Sequence, residues 1–510
     1  MLDAFGNTMR LIGIARSMAR HDALWPLQRL GVARPALFLG RLLGGKRRRD
    51  GRPGEKLARA LEELGPGAIK LGQALAVRSD LVGEQVAQDL TRLQDQLPPF
   101  PFATARKAVE EELGQTLEEL FAEFSETPVA AASIAQVHRA ITHDGREVAI
   151  KILRPDIEAR FDTDLKLLYW IARLAERAAP ATRRLKPLAV VREFEKWVRV
   201  EMDLRLEAAS ASELAENFPP GNPENFRVPR VHWDLTGRRV LATEWIDGVR
   251  IDDLDAIERM GLDRRDVTAR SARVFFLQVF RDGFFHADMH PGNMFLLPSG
   301  ELVPVDFGIM GRVDMETRHY LADMLSGFLQ RHYAKVADVH FRAGYVPADQ
   351  DREAFTQALR AIGEPLQGLT LNRISLGKLL AQLFQTTEQF AMQTRPELLL
   401  LQKTLLVAEG VGRKLDPEVN MWVLAQPLIE DWMFANRGPE ARIRQTLGDA
   451  LDTMERLPRI LRKAEDVLNH LGDASPREMA RERRKSFRNS MLVASCVIAA
   501  AALLAAVLLD

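Results

Sequence analysis

A lysine inside an apolar strand is the feature that most narrows what this chain can become. The run EVAIKIL, residues 147–153, reads as a β-strand with Lys151 bracketed by Ala, Ile and Leu. An ammonium buried there is costly to desolvate unless a carboxylate meets it. Glu207, in the helical stretch EMDLRLEAASASEL, is the candidate partner. Two further stretches supply oxygen ligands. HADMHPGN, residues 286–293, places Asn293 five positions after Asp288, and Asp306-Phe307-Gly308 follows the strand-like ELVPV eighteen residues beyond Asp288. The fold must therefore bring a β-rich segment and a helix-rich segment together around these scattered side chains.

The spacing D-x-x-x-x-N is that of a protein-kinase catalytic loop, where the Asp accepts a hydroxyl proton and the Asn binds magnesium; strand plus DFG is the matching metal element. Moving a γ-phosphoryl group spreads negative charge that Mg²⁺ and Lys151 would offset, and carboxyl and amide oxygens are the hard ligands Mg²⁺ prefers. A histidine-based zinc site on His286 and His290 is the competing reading. It lacks HExxH, a further His cluster and nearby Cys. His286 is expected to make a structural hydrogen bond. A protein kinase would also carry G-x-G-x-x-G roughly 15 to 20 residues before the strand lysine. Here that position reads AAASIAQVH, with no glycine. The nucleotide is thus expected to sit differently, which argues against ordinary protein phosphorylation.

The bulk numbers fit a two-lobed body with appendages: 510 residues, 46% hydrophobic. Seventy basic residues against seventy acidic ones remove any case for wholesale nucleic-acid binding. Residues 1–49 hold ten Lys or Arg against Asp3 and Asp22, interleaved with apolar residues. Such an amphipathic basic segment suits either an anionic membrane surface or a helix covering the body. The lone Cys496 excludes an intramolecular disulfide. No signal peptide is evident at the N-terminus. Residues 491–509, MLVASCVIAAAALLAAVLL, are nineteen without a charge, enough for one membrane crossing. Arg477, Arg481, Arg483, Arg484, Lys485 and Arg488 precede them and would hold the body on the cytoplasmic side.

The expected divisions are a basic N-terminal region at 1–55, a helical extension at 56–125, a β-rich lobe at 126–248 around a long helical stretch from about 156 to 217, a helical lobe at 249–440, juxtamembrane helices at 441–489 and the anchor at 490–510.

Taken together, KLGQ (70–73), LQDQLPPF (93–100), AAASIAQVH, VAIK, EMD (201–203) with Glu207, FFHADMHPGN, VDFG and LLQKTLLVAEGVGRKLDP (400–417) resemble the UbiB family of atypical kinases over about residues 56–440. The resemblance implies a helix-rich α+β fold of the protein-kinase-like two-lobe type, with the KxGQ helices folded over the site where a protein substrate would dock. It assigns Asp288, Lys151 and Glu207 to catalysis, and Asn293 and Asp306 to the metal. Nucleotide contacts are implied for Lys151, Glu244, Ile246 and the whole Ala-rich segment: Ala130, Ala131, Ala132, Ser133, Ile134, Ala135, Gln136, Val137 and His138. Lys70 and Gln73, together with Glu201 and Asp203 of the ExD element, are implied to regulate access near the phosphates. ATP or ADP and Mg²⁺ are the implied cofactors. The implied role is an ATPase supporting ubiquinone synthesis at a bacterial inner membrane, with polyprenyl-phenol precursors, membrane lipid and other ubiquinone-biosynthesis proteins as partners. A nucleotide-binding regulator with negligible turnover is the alternative.

Overall fold

The computed structural model describes residues 2–26, 50–77, 82–90, 93, 98–178, 187–364, 382, 389–392, 395–419 and 421–437. The chain divides into two units, Met1–Trp432 and Met433–Asp510. Of the second, residues 433–437 are described, as helix. The juxtamembrane segment 441–489 and the apolar run 491–509 lie outside the described residues, within which no helix is long and apolar enough to cross a membrane.

Among the described residues, the first unit opens with α1 (Leu2–Arg20), α2 (Pro53–Leu64), α3 (Pro66–Val77) and α4 (Glu84–Leu90). Helix α2 starts with Pro53, whose missing N–H has no partner to lose there, and is followed by Gly65 at φ +98°, a conformation that disfavours any side chain. Pro66 then opens α3, so the chain turns at Gly65 between these helices. Leu57, Ala58, Ala60 and Leu61 of α2 face Ala15, Met18 and Ala19 of α1, and Leu11 meets Leu167, Ile171 and Ala175 farther along the chain. The apolar side of α1 is therefore covered by protein over its described part, in keeping with the second of the two readings of this segment, a helix covering the body. Its basic face stays outside, with Arg10 and Arg16 exposed, while Lys56 pairs with Asp22 at 3.0 Å.

Next come α5 (Phe102–Leu113), α6 (Leu117–Leu120) and an antiparallel sheet of β1 (Phe121–Phe124), β2 (Ala130–Ala131), β3 (Ala135–Thr142), β4 (Glu147–Leu153) and β5 (Val240–Glu244), ordered β1-β3-β4-β5 with β2 also on β3. The β3–β4 hairpin closes on Gly145 at φ +81°, with its N–H on the Thr142 carbonyl at 2.9 Å. Alternation along the strands sorts side chains onto two faces. Ala140, Val148, Ile150, Ile152, Val240 and Ala242 pack under Ala105, Ala108 and Val109 of α5. Helix α5 thus shares the sheet's core although it lies within the segment read as extension.

The opposite face carries Ala135, Leu153 and Leu241 against α7 (Ile157–Ala178), α8 (Pro187–Glu201) and α9 (Leu204–Asn217). These three helices replace the single long helical stretch expected there. The break before α9 has a local cause: the Asp203 carboxylate accepts the Arg205 N–H at 3.2 Å and caps the new helix.

The remainder is mostly helical. After β6 (Val249–Arg250), α10 (Leu254–Arg259) and α11 (Arg264–Phe276), the chain runs through a π-helical segment Leu277–Asp282 to Gly283 at φ +68°. A Cβ on Gly283 would stand 2.4 Å from the Val313 carbonyl oxygen, so both conformation and space require glycine. Two small antiparallel sheets then frame the HADMHPGN and DFG loops. One joins β7 (Phe284–His286) to β10 (Met310–Arg312), and the other orders β6, β8 (Met294–Leu296) and β9 (Leu302–Pro304). Helices α12 (Met315–Leu329), α13 (Tyr333–Arg342), α14 (Arg352–Gly363), α15 (Pro396–Leu415) and α16 (Met421–Arg437) complete the described part.

Candidate active site

Register decides which side chains reach the cleft. Val137 on β3 lies opposite Lys151 on β4, which lies opposite Leu241 on β5, so these share one face, the face toward α9. Lys151 accordingly points at Glu207, in the first turn of α9. Its ammonium donates to Oε1 at 2.7 Å and Oε2 at 2.9 Å of Glu207, and to Oδ2 of Asp306 at 3.2 Å. Glu207 Oε1 also accepts the Phe307 N–H at 3.3 Å, and Asp306 Oδ1 accepts the Gly308 N–H at 3.0 Å. One carboxylate on α9 thereby fixes both the strand lysine and the DFG backbone.

The charges follow from this geometry. Burial works against the Lys151 ammonium, yet Asp306 and Glu207 outweigh it and hold the amine above its ordinary range. Burial pushes Asp306 up too, but Lys151 overrides it, and the carboxyl sits well below the usual carboxylate range. Burial also drives Glu207 above its ordinary value while Lys151 pulls back. Asp306 is 43% exposed and opens to the cleft, whereas Glu207 is 7% exposed and enclosed. Asp306 is therefore the carboxylate available to a ligand, and Glu207 the one that stays with the lysine.

On the other wall, the Asn293 amide donates to the Asp288 carbonyl at 3.1 Å and to Asp288 Oδ2 at 2.9 Å. With its N–H groups so directed, the Asn293 amide presents its oxygen as an acceptor. His286 holds this loop to the DFG segment: its Nδ1 accepts the Asp288 N–H at 3.2 Å, and its Nε2 donates to the Asp306 carbonyl. Burial lowers the His286 pKa, so the ring is neutral and both nitrogens are engaged by backbone. That is the structural hydrogen-bonding role expected of it, and it leaves no nitrogen for a metal. His290 is exposed and its ring accepts the Gly292 N–H at 3.2 Å.

Mg²⁺ fits the donor set. The Asn293 amide oxygen and the ionised Asp306 carboxylate are hard ligands, and phosphate oxygens of a nucleotide would supply the rest of an octahedral shell. Among the described residues no group of three or more His, Cys, Asp and Glu could hold an ion unaided.

The Ala-rich segment is a tight hairpin. Ala130 and Ala131 pair with Val137 and Gln136, and the Ala132 N–H reaches the Ala135 carbonyl at 2.8 Å. No residue from 130 to 138 has positive φ, so alanines suit the backbone without strain. Arg154 clamps the hairpin from behind, with its guanidinium on the Ala132 carbonyl at 2.9 and 3.1 Å and on the Pro98 carbonyl at 2.9 Å. Ser133 and Ile134 are buried at its tip.

Three of the residues expected at the nucleotide have side chains on the far face of the sheet, where strand alternation turns them. The Gln136 amide accepts the Phe100 N–H at 3.0 Å and meets His138 Nε2 at 2.8 Å. His138 Nδ1 meets the Ser125 carbonyl at 2.7 Å. Glu244, opposite Val148, pairs with Arg227. Ile246 is half-buried just beyond β5.

Lys70 of α3 and Glu201 at the end of α8 form a buried pair at 2.8 Å, with Lys70 over the Trp197 ring at 5.6 Å. The Gln73 amide oxygen is buried with no hydrogen-bond partner among the described residues. Asp203 does not join this group. Its carboxylate takes the Arg205 guanidinium at 2.7 and 2.9 Å while capping α9.

One residue escaped the sequence reading. Lys403 of α15 places its Nζ 3.4 Å from Asp288 Oδ1. Its neighbour Thr404 donates to the Ala287 carbonyl at 3.1 Å, fixing the helix against the loop.

Residues 92–340 match the ABC1 atypical kinase-like domain, and residues 359–420 match the UbiB helical domain. The chain is 41% identical over 472 residues to a protein of Pseudomonas paraeruginosa described as probable protein kinase UbiB, spanning 92% of this chain and 86% of that one. A protein of the same description from Marinobacter nauticus is 42% identical over 83% of this chain and 78% of its own length. Among solved structures, the Rv3197–erythromycin complex of Mycobacterium tuberculosis is 29% identical with a TM-score of 0.48, covering 72% of this chain and 93% of that one.

Proposed function

The chain belongs to the UbiB family of ABC1 atypical kinase-like proteins, and on that premise we propose that it binds MgATP and turns it over, as an ATPase or small-molecule phosphotransferase in support of ubiquinone biosynthesis. The observation that carries the reading is the Lys151 ammonium held at 2.7 Å from Glu207 and 3.2 Å from Asp306, with His286 tying the Asp306 carbonyl to the Asp288 N–H of the Asp288–Asn293 loop. Lys151 orients the phosphates. Asp288 accepts the proton of the attacking water or hydroxyl. Asn293 and Asp306 would hold Mg²⁺, which when bound neutralises charge on the β- and γ-phosphate oxygens. The Arg154-clamped Ala-rich hairpin covers the nucleotide without wrapping it.

Attachment to an inner membrane by residues 491–509, with the body on the cytoplasmic side, belongs to the same proposal; the charge-free run and the basic residues before it support it. Polyprenyl-phenol intermediates, which the family resemblance implies, are the proposed acceptors or cargo. A regulator with negligible turnover is the second reading, favoured by the Lys70–Glu201 pair that ties α3 to α8. ADP release from liposome-bound protein separates the two. Turnover in the natural chain that falls to background in Asp306→Asn supports the enzyme; equal background release from both leaves the regulator.

A further inference from the structure

We propose that Lys403 contacts the terminal phosphoryl group of the bound nucleoside triphosphate, as a catalytic residue delivered by helix α15 rather than by the HADMHPGN loop. This rests on the reading of the cleft as an ATP site. Lys151 is committed to Glu207 and Asp306 on the sheet side, and the loop from Asp288 to Asn293 brings no Lys or Arg of its own. His290, the loop's one other basic side chain, is exposed and occupied with the Gly292 N–H. The side of the cleft where Asp288 would meet the attacking oxygen therefore needs a cation from elsewhere, and Lys403 supplies it.

Its position is built into the fold. Thr404, 1% exposed, bonds the carbonyl of the residue just before Asp288, which sets the height of α15 beside the loop. Lys403 itself is only 18% exposed, so its stem is packed and its head is aimed. The 3.4 Å separation from Asp288 Oδ1 is longer than the ~2.7–2.9 Å of a saturated charge-assisted bond. Among the described residues no other hydrogen bond to this ammonium is recorded, and its remaining protons can serve phosphate oxygens. Shared between Asp288 and the γ-phosphoryl group, the ammonium offsets the charge that develops there.

In the step itself, the nucleophile's oxygen bonds to the γ-phosphorus as the bond to the β,γ-bridging oxygen breaks. The electron pair leaves on ADP, the nucleophile's proton passes to Asp288, and Lys403 remains protonated throughout.

Affinities for MgADP and for Mg²⁺ with a non-hydrolysable ATP analogue, measured by calorimetry on the natural chain, Lys403→Met and Lys403→Arg, test the assignment. The expected result is about a tenfold loss of analogue affinity in Lys403→Met, with MgADP binding within about twofold and turnover down about 10²-fold or more. Lys403→Arg should recover part of the analogue affinity. Equal losses for both nucleotides, or no loss for either, overturn the assignment. Failure of the natural chain to bind either nucleotide overturns the ATP-site reading, and this inference with it.

Discussion

Replacing Lys151 with methionine separates what the central ion cluster does for the fold from what it does for the ligand. Asp306 is 43% exposed and keeps the Gly308 N–H, so it tolerates the loss. Glu207 is 7% exposed and retains only the Phe307 N–H at 3.3 Å among its recorded bonds. The penalty therefore falls on one enclosed carboxylate, and breaking a buried pair this way costs about 3–5 kcal/mol. At ~2–4 °C per kcal/mol, a scale taken from domains of moderate size, that corresponds to a melting shift of roughly 6–20 °C. Urea unfolding followed by tryptophan fluorescence measures it directly. Burial already raises the Glu207 pKa with Lys151 present, so without the lysine the folded state favours the neutral acid still more. A raised folded pKa gives stability that is fully present below the unfolded value, near 4.3, and lost as pH rises through the folded value. The deficit relative to the natural chain should accordingly grow from pH 4 to neutrality. Lys151→Met combined with Glu207→Leu should regain most of the stability and still fail to bind MgATP. A single variant that loses under about 1 kcal/mol, as an exposed pair would, or a double variant no more stable than the single one, refutes the reasoning.

Other consequences are simpler. His340 is 1% exposed, with its Nδ1 on the Val336 carbonyl at 2.8 Å, and burial pushes it down to about 4. Its stability contribution is present above the unfolded value near 6.5 and is lost as pH falls toward 4, worth about 3 kcal/mol. His340→Leu should flatten that part of the stability profile, and an unchanged slope counts against it. Gly311→Ala would set a Cβ 2.2 Å from the ring of the fully buried Phe285. The β7–β10 pair should lose about 1–3 kcal/mol, read as a lower urea midpoint; an unchanged midpoint would mean that the ring can move aside.

The pair that defines the cleft was legible because a cation in an apolar strand demands a carboxylate, and the EMDLRLE helix start offered one. The Asp288–Asn293 spacing and DFG were equally plain, since metal chemistry ties residue type to position. Facing was harder. Gln136 and His138 sit in the same Ala-rich motif as Val137, but only strand register tells which parity meets Lys151. Counting by twos along VHRAI without a partner strand leaves both options open. Asp203 read as part of an acidic pair with Glu201, whereas its local chemistry, an Asp just ahead of a helix, makes it a cap. Lys403 lay in a stretch that carried the family resemblance, but nothing in the sequence gave the residue itself a role. It lies 115 residues beyond Asp288, and in a helix that mixes apolar and charged residues a cleft lysine looks like a solvated one. The apolar face of α1 was ambiguous for a related reason, because a lipid surface and a protein core select the same side chains.

Calorimetry of ATP binding with and without Mg²⁺, on the natural chain and on Asp306→Asn, tests most directly whether Lys151, Glu207, Asp288, Asn293 and Asp306 build one nucleotide–metal site. The account predicts ATP binding that strengthens with Mg²⁺ in the natural chain, and loss of that metal dependence in the variant. Binding that is absent, or equally indifferent to Mg²⁺ in both proteins, would contradict it.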